Sequence, residues 1–367
     1  CRDMKLNILP PDINRCAYEF VPVDEERRTD APVAEPRMPQ TILYGLGAIK
    51  GLGQAAIDSL LAARQEGGPF KDLFDFCRRM DARKVNRRAL ESLIRAGALD
   101  QLGTHRAVLL ASLDAALSAA ERHSRDRQAG QTDLFGASAE TPAAPVYVDV
   151  PEWSEDQRLE GEKETLGLYL TGHPIARYAE ELARITDYTI AELRPTRDRT
   201  IVVAGLVVNL RTMQTRRGDR MAFVTLDDRT GRLELAVFSE FYTRYRELLV
   251  KDTLLVVEGQ VSVDEYTGGF KMSAEKIYNV DQARGAFSSR LVIEVDVGLA
   301  GNGFADELRA ILGPVARGTC PVYLRYHGAE ADAEIALGDE WKISPTGAVI
   351  ERLGQLAGER NVHLDYR

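Results

Sequence analysis

The segment Leu43–Arg64 constrains this chain more than any other. It sets two Gly-x-Gly turns, Gly45-Leu46-Gly47 and Gly51-Leu52-Gly53, immediately before a helix whose Ile57, Leu60 and Leu61 fall at helical spacing. Glycine reaches φ > 0 and lets another backbone come close. A glycine turn that opens a helix presents unpaired N–H groups at the positive end of the helix dipole. Such donors hold phosphate without reading base sequence. The alternative is a hairpin whose glycines serve tight packing alone. Two turns in succession, with Lys50 between them, favour binding of a nucleic-acid backbone. Gly45, Gly47, Lys50, Gly51 and Gly53 are the expected contacts.

Downstream, Arg78, Arg79, Arg83, Lys84, Arg87, Arg88 and Arg95 face only Asp81 and Glu91 within their run. A charge run is most often a solvated helix face. Beside a glycine hairpin, phosphate contact through Arg83, Lys84, Arg87 and Arg88 is the competing reading. Leu90, Leu93 and Ile94 share the opposite, apolar face. Leu99–Ala107 contains a further glycine turn leading into a helix, a weaker echo of the first. The net charge of the chain is −9. Nucleic-acid affinity must therefore come from local patches and not from overall charge.

A length of 367 residues predicts two to four domains, and 44% hydrophobic with 28% charged residues is ordinary for a globular protein. No run of about 18 apolar residues indicates a membrane span. The start, Cys1-Arg-Asp-Met-Lys5, has neither an apolar signal-peptide region nor an initiating methionine, and reads as the cut edge of a longer protein. Cys1, Cys16, Cys77 and Cys320 are isolated, without C-x-x-C spacing. They suit a reducing cytoplasm and give no zinc site.

Proline breaks residues 1–38 into loops and short extended pieces. Residues 39–127 read as mostly helical. Residues 128–153 are rich in Ala, Gly, Ser, Thr and Pro and read as a linker. Within it, Gln131-Thr132-Asp133-Leu134-Phe135 places two large apolar side chains where nothing nearby buries them. That is either a docking peptide or a segment folded back on its host. Residues 154–198 form a helical connector. Residues 199–282 show five strand-like runs with a helix between the third and fourth, the order of an OB fold, and Asp227-Asp-Arg-Thr-Gly231 reads as a hairpin turn. Residues 286–367 alternate strand and helix as a small α/β unit. The fold class is thus multidomain α+β.

In the five-stranded region, Arg211, Arg216, Arg217, Arg220 and Lys271 are placed to follow a single-strand backbone, with Phe223, Tyr266 and Phe270 available to stack bases. The competing reading makes these aromatics barrel core, and for Phe223 that reading is preferred. Phosphate-loop, metalloprotease and serine-hydrolase signatures are absent from the sequence. The five histidines have no ligand spacing. No cofactor or metal is expected in this chain.

The order of parts resembles the C-terminal third of the bacterial DNA polymerase III alpha-subunit family. The stretches that carry the resemblance are Tyr44–Gly53, Lys84–Arg88, Leu93–Asp100, Gly161–Ile175 and Thr225–Glu234. The resemblance implies that residues 1–38 end a fingers domain. It implies that 39–127 are a tandem helix-hairpin-helix domain gripping duplex DNA, and that 199–282 are an OB domain near single-stranded template. Gln131–Phe135 would be the internal motif for the sliding clamp (beta subunit), with Leu134 and Phe135 as its apolar pair and Thr132 at a variable position. An intact motif favours the replicative member over its error-prone paralogue. Residues 286–367 would contact the clamp-loader tau subunit. The family's catalytic carboxylates, and the Mg²⁺ they hold, would precede residue 1, so this part binds and tethers in the cytoplasm. Two rival readings are a free-standing nucleic-acid-binding adaptor and a tRNA-synthetase appendage with an anticodon-binding OB domain.

Overall fold

Helix starts in the first half are fixed by side chains that accept from orphan backbone N–H groups. Asp72 accepts from Asp75 N at 2.7 Å, Asn86 from Ala89 N at 2.9 Å, and Ser154 forms a reciprocal capping box with Gln157. The computed structural model describes residues 6–23, 41–81, 83–128, 146–195, 199–215, 217–264, 268–301, 303–328 and 331–367. They fall into two units, meeting at His173 and Pro174.

In the first unit a small sheet, β1 (Asn7–Leu9), β2 (Val21–Val23) and β3 (Thr41–Leu43), has β3 in the middle. Six helices follow: α1 (Gln54–Gly67), α2 (Leu73–Arg79), α3 (Arg87–Arg95), α4 (Arg106–Ala111), α5 (Leu113–Gln128) and α6 (Glu155–Leu166). Leu46, Ile57, Leu60, Phe76, Leu90, Leu93, Ile94, Leu99 and Leu109 build one apolar core. Leu90, Leu93 and Ile94 are all buried, as their spacing predicts. The helix expected after the glycine turn of Leu99–Ala107 is continued by a second one, α4 being followed directly by α5.

Part of the expected linker is packed structure. Tyr147 Oη accepts from Leu73 N at 3.3 Å, its ring meets Phe74 edge-on at 5.4 Å, and Val148 N donates to Ser112 Oγ at 2.9 Å. Trp153 also lies against the helical core. Small and proline-rich composition misleads here because two aromatic anchors outweigh it. The segment Gln131–Phe135 lies outside the described residues.

The second unit starts with α7 (Ala179–Ile185). A closed barrel follows, built from β4 (Ile201–Gln214), β5 (Arg220–Asp227), β6 (Arg232–Val237), β7 (Leu254–Val263) and β8 (Phe270–Tyr278). Its strand order is β4-β5-β6-β8-β7, closed by β4 against β7, with β6 and β8 parallel. Helix α8 (Ser239–Tyr245) sits between β6 and β7 in sequence. That is the OB-fold order. Gly259 allows β7 and β8 to approach closely at an irregularity in their register, because a Cβ there would stand 2.2 Å from Ser273 O.

Helix α9 (Val280–Phe287) leads into a four-stranded sheet of order β11-β10-β9-β12: β9 (Ser288–Asp296), β10 (Val322–His327), β11 (Asp332–Ala336) and β12 (Val362–Tyr366). The β9–β10 pair is parallel and crosses over through α10 (Phe304–Leu312), while α11 (Gly347–Ala357) precedes β12. Leu291, Ile293, Leu308, Ile311, Val322 and Leu353 fill the space between sheet and helices. The molecule is therefore multidomain α+β: a helical region, a closed five-stranded barrel and a small α/β region.

An ion pair between a buried arginine and a half-buried glutamate ties this second unit together. The Arg284 guanidinium on α9 meets both oxygens of Glu181 on α7 at 2.6 and 2.8 Å, and Tyr366 on β12 donates to the same carboxylate. Burial works to raise the Glu181 carboxyl, but Arg284 and Tyr366 outweigh it and hold the group below its ordinary value. A depressed folded-state value means stability that is present above the unfolded carboxylate range and lost as pH falls through the folded one. Glu181→Gln should therefore lower the melting temperature at neutral pH and flatten the acid limb of the stability curve. Calorimetry from pH 7 downward checks this, and an unchanged acid limb contradicts it.

Candidate nucleic-acid interface

The two Gly-x-Gly turns do different work. Gly45 is buried against the 18–20 segment, where a Cβ would stand 2.7 Å from Glu19 C. Gly47 N already donates to Tyr18 O at 2.9 Å, and its Cβ would stand 2.9 Å from the Tyr18 ring. These two glycines serve close packing, so their expected place among the phosphate contacts is corrected. Gly51 takes φ +89° and Gly53 caps the start of α1 at φ −82°. Both are exposed, as are Gln54 and Ala55 beyond them. Only the second turn offers its backbone to a ligand.

Beside that turn is a cleft of about 430 Å³ lined by Lys50, Gly51, Arg88, Glu91, Ser92, Arg95, Glu164 and Thr165. Lys50 N donates to Thr165 O at 2.8 Å, which ties the glycine turn to the end of α6. The start of α3 places Arg87 and Arg88 together, but their environments differ. Arg87 is held by Glu91 at 2.8 Å and by Asp114, which hold its guanidinium above its ordinary range. Lys50, Arg83, Lys84 and Arg88 have no carboxylate partner among the described residues, and all four are exposed. Of these, Lys50 and Arg88 line the cleft beside the exposed glycine turn, while Arg83 and Lys84 precede α3 in the chain; unpaired cations beside a helix start suit an anion. The α6 wall was not anticipated from sequence. A helical connector over 154–198 was readable, but nothing in the chain announced the pairing of α6 with α3.

In the barrel, strand alternation decides which side chains are available. Ala222, Val224 and Leu226 point inward and are fully buried. Phe223 lies between them on the outer face, so its expected place in the core is corrected. Arg211 is its cross-strand neighbour, with the guanidinium 5.9 Å above the Phe223 ring. Arg211 also pairs with Glu234 at 3.0 Å, and Lys271 with Asp264 at 3.6 Å. Arg217 and Arg220 are exposed and have no carboxylate partner among the described residues. Phe270 is exposed, whereas Arg216 and Tyr266 lie outside the described residues.

Asp227 and Asp228 are consumed by the turn they build. Asp228 accepts from Thr230 N and Gly231 N and, through its other oxygen, from Ile190 N at 2.7 Å; Asp227 accepts from Arg229 N and Arg232 Nε. Among the described residues no cluster of three or more His, Cys, Asp or Glu side chains is placed to hold a metal ion. Burial and the nearby Asp72 push the Cys77 thiol up to about 12. That value makes it a packing group and not a nucleophile.

Three domain families match this chain. A helix-hairpin-helix motif matches residues 5–109, an OB-fold nucleic acid binding domain matches 201–280, and the DNA polymerase III subunit alpha C-terminal domain matches 307–358. The DNA polymerase III subunit alpha of Vibrio cholerae is 45% identical over 369 residues, covering 100% of this chain and 31% of that protein. The Escherichia coli K12 protein of the same name is 42% identical over 370 residues, with the same coverage. The chain thus spans about a third of the length of these relatives. Among solved structures, the mitochondrial single-stranded DNA binding protein Rim1 of S. cerevisiae aligns with 22% of this chain and 95% of its own at 15% identity and TM-score 0.20.

The geometry of the second turn gives one direct test. Alanine at Gly51 would have to hold φ +89° and set its Cβ 2.8 Å from Ser92 Oγ, whereas a Cβ at Gly53 meets nothing within 4 Å. Gly51→Ala should cost about 1–3 kcal/mol, and Gly53→Ala the smaller loss of an N-cap preference, about 0.5 kcal/mol. Urea melts of both variants check the difference, and equal midpoints contradict it. The matched domains follow the order of the structural parts and the identity runs the full length, so the chain belongs to the bacterial DNA polymerase III alpha-subunit family and corresponds to the C-terminal region of its members.

Proposed function

We propose that this chain is the DNA-, clamp- and clamp-loader-binding region of a replicative polymerase that works in the cytoplasm. The observation that carries the reading is the exposed Gly51–Gly53 turn with the unpaired Lys50 and Arg88 lining the cleft beside it, and the unpaired Arg83 and Lys84 in the segment that leads into α3. Duplex DNA is the polyanion of matching chemistry. Backbone N–H groups at the start of α1 and the four cations meet successive phosphates, and none of them reads a base edge. Arg87 contributes less, since Glu91 and Asp114 already hold it.

The barrel is assigned to single-stranded DNA, with Arg217 and Arg220 on the backbone and Phe223 under Arg211 as a stacking surface. Gln131–Phe135 is assigned to the sliding clamp. Leu134 and Phe135 fill an apolar pocket, and Gln131 bonds its rim. Residues 286–367 are assigned to the clamp-loader tau subunit, supported by the family match over 307–358. DNA-directed DNA synthesis, with its Mg²⁺, is assigned to the intact polymerase; this region contributes grip and tethering. Because Asp227 and Asp228 are committed to turn hydrogen bonds, they do not suit two-metal chemistry.

Two measurements test the reading. Duplex affinity should fall steeply with salt and be indifferent to sequence. Lys84→Ala with Arg88→Ala should flatten the slope of log K against log salt by roughly one to two units. Salt-insensitive or sequence-selective binding contradicts the assignment. For the clamp, Leu134→Ala with Phe135→Ala should cost about two to four decades of affinity, since each apolar side chain contributes roughly 1.5–3 kcal/mol. Surface plasmon resonance checks it, with duplex affinity unchanged in the same variant. Undiminished clamp binding places the tether elsewhere.

A further inference from the structure

One wall of the cleft beside the Gly51 turn is acidic. Glu164, on α6, holds Arg95 at 2.9 Å, and the two side chains are 56% and 42% exposed. Both lie in the same cleft as Lys50 and Arg88, which have no carboxylate partner among the described residues. An exposed ion pair of this kind is weak and exchanges readily for another partner. A phosphate entering the cleft therefore meets two available cations, a third one already neutralised by Glu164, and two carboxylates that repel it, Glu164 and the Glu91 that holds Arg87.

The position of Arg95 makes the exchange possible without refolding. Its backbone carbonyl is fixed by Arg106 Nη1 at 3.3 Å, and the Cα and Cβ of Arg95 pack against Gly161, where a Cβ would stand 3.3 Å from the Arg95 Cβ. The base of the side chain is thus anchored, while the guanidinium at its tip stays exposed. Glu164 sits one turn beyond Gly161 on the same helix, so the carboxylate and its partner are both on rigid elements.

We propose that Glu164 is a competing carboxylate that lowers the grip on duplex DNA: it occupies Arg95 in the free protein and yields it to a backbone phosphate on binding. This rests on the duplex-binding assignment above. A restrained grip suits a protein that must move along the duplex, because every extra phosphate contact steepens the binding and slows release. Glu164 lies outside residues 5–109, so the tuning group belongs to a helix that the helix-hairpin-helix match does not include.

The test uses the full chain and a short mixed-sequence duplex, with fluorescence anisotropy across a salt series. Glu164→Gln should tighten binding by about two- to ten-fold, through release of Arg95 and removal of one repulsive charge. It should steepen the salt slope by up to about one unit. Glu160→Gln makes the same change in net charge on the same helix, outside the cleft, and should shift affinity less than about two-fold, since exposed charges at a distance are screened. Adding Arg95→Ala to Glu164→Gln should abolish the gain. An unchanged or weaker Glu164→Gln, or an equal gain from Glu160→Gln, overturns the proposal while wild-type salt dependence leaves the duplex assignment standing. Absence of salt-dependent duplex binding by the wild type overturns both.

Discussion

The first unit depends on a buried ion pair between Arg106 and Glu162. Arg106 is 4% exposed and Glu162 fully buried. Glu162 accepts from Arg106 Nη1 at 3.1 Å, from Leu170 N and Thr171 N at 2.9 and 3.0 Å, and from the Thr171 hydroxyl at 2.7 Å. Arg106 gives its remaining donors to Asp100 and to Arg95 O. Taking two charges out of water costs several kcal/mol per ion, and the Coulombic gain offsets that only when every polar atom is satisfied. Here the network is nearly saturated, so removing one partner would strand the other as a buried charge, at about 3–5 kcal/mol. Gly97 exists to make room for it: at φ +79°, a Cβ there would stand 2.2 Å from Arg106 Nη2.

That one network sets the geometry of the proposed interface. It fixes the end of α3 through Arg95 O, the glycine turn at 97–103 through Asp100, and α6 with its following loop through Glu162. The Arg95 and Glu164 side chains inherit their placement from it, and so does the cleft they share with Lys50 and Arg88. The second unit repeats the strategy with Glu181, Arg284 and Tyr366, where a bidentate guanidinium joins a connector helix to α9 and a hydroxyl adds the last strand. In both units a buried charge is admitted where three or more elements converge, and its geometric specificity is what it contributes.

A chain of net charge −9 can bind a polyanion because charge acts locally. At physiological salt the screening length is about 8 Å, so distant carboxylates scarcely oppose the cations beside the glycine turn. Carboxylates inside the cluster matter far more. Glu91, Asp114 and Glu164 neutralise Arg87 and Arg95, which leaves the surface less basic than the run Arg78–Arg95 suggests.

By itself the sequence determined the parts and their order. Glycine turns, capping residues and apolar periodicity are local properties, so α3 with its Leu90–Leu93–Ile94 face, the five barrel strands and the Asp227–Gly231 turn were all legible in advance. That Lys50, Gly51 and Arg88 are exposed polar positions was legible too, since charged side chains and a glycine turn seldom enter a core. Tertiary structure decided what depends on partners distant in the chain. It put Gly45 and Gly47 to packing, because Tyr18 and Glu19 lie against them. Phe223 it turned to the barrel's outer face, because a one-residue change of phase moves a side chain across the sheet. It fastened Tyr147 and Trp153 onto the helical core, against their linker-like surroundings. Arg87, already beside its helix neighbour Glu91, gained Asp114, and Arg95 gained Glu164, because those carboxylates arrive from other helices. Each of these turns on a contact between residues far apart in sequence, and such contacts exist only once the chain has folded.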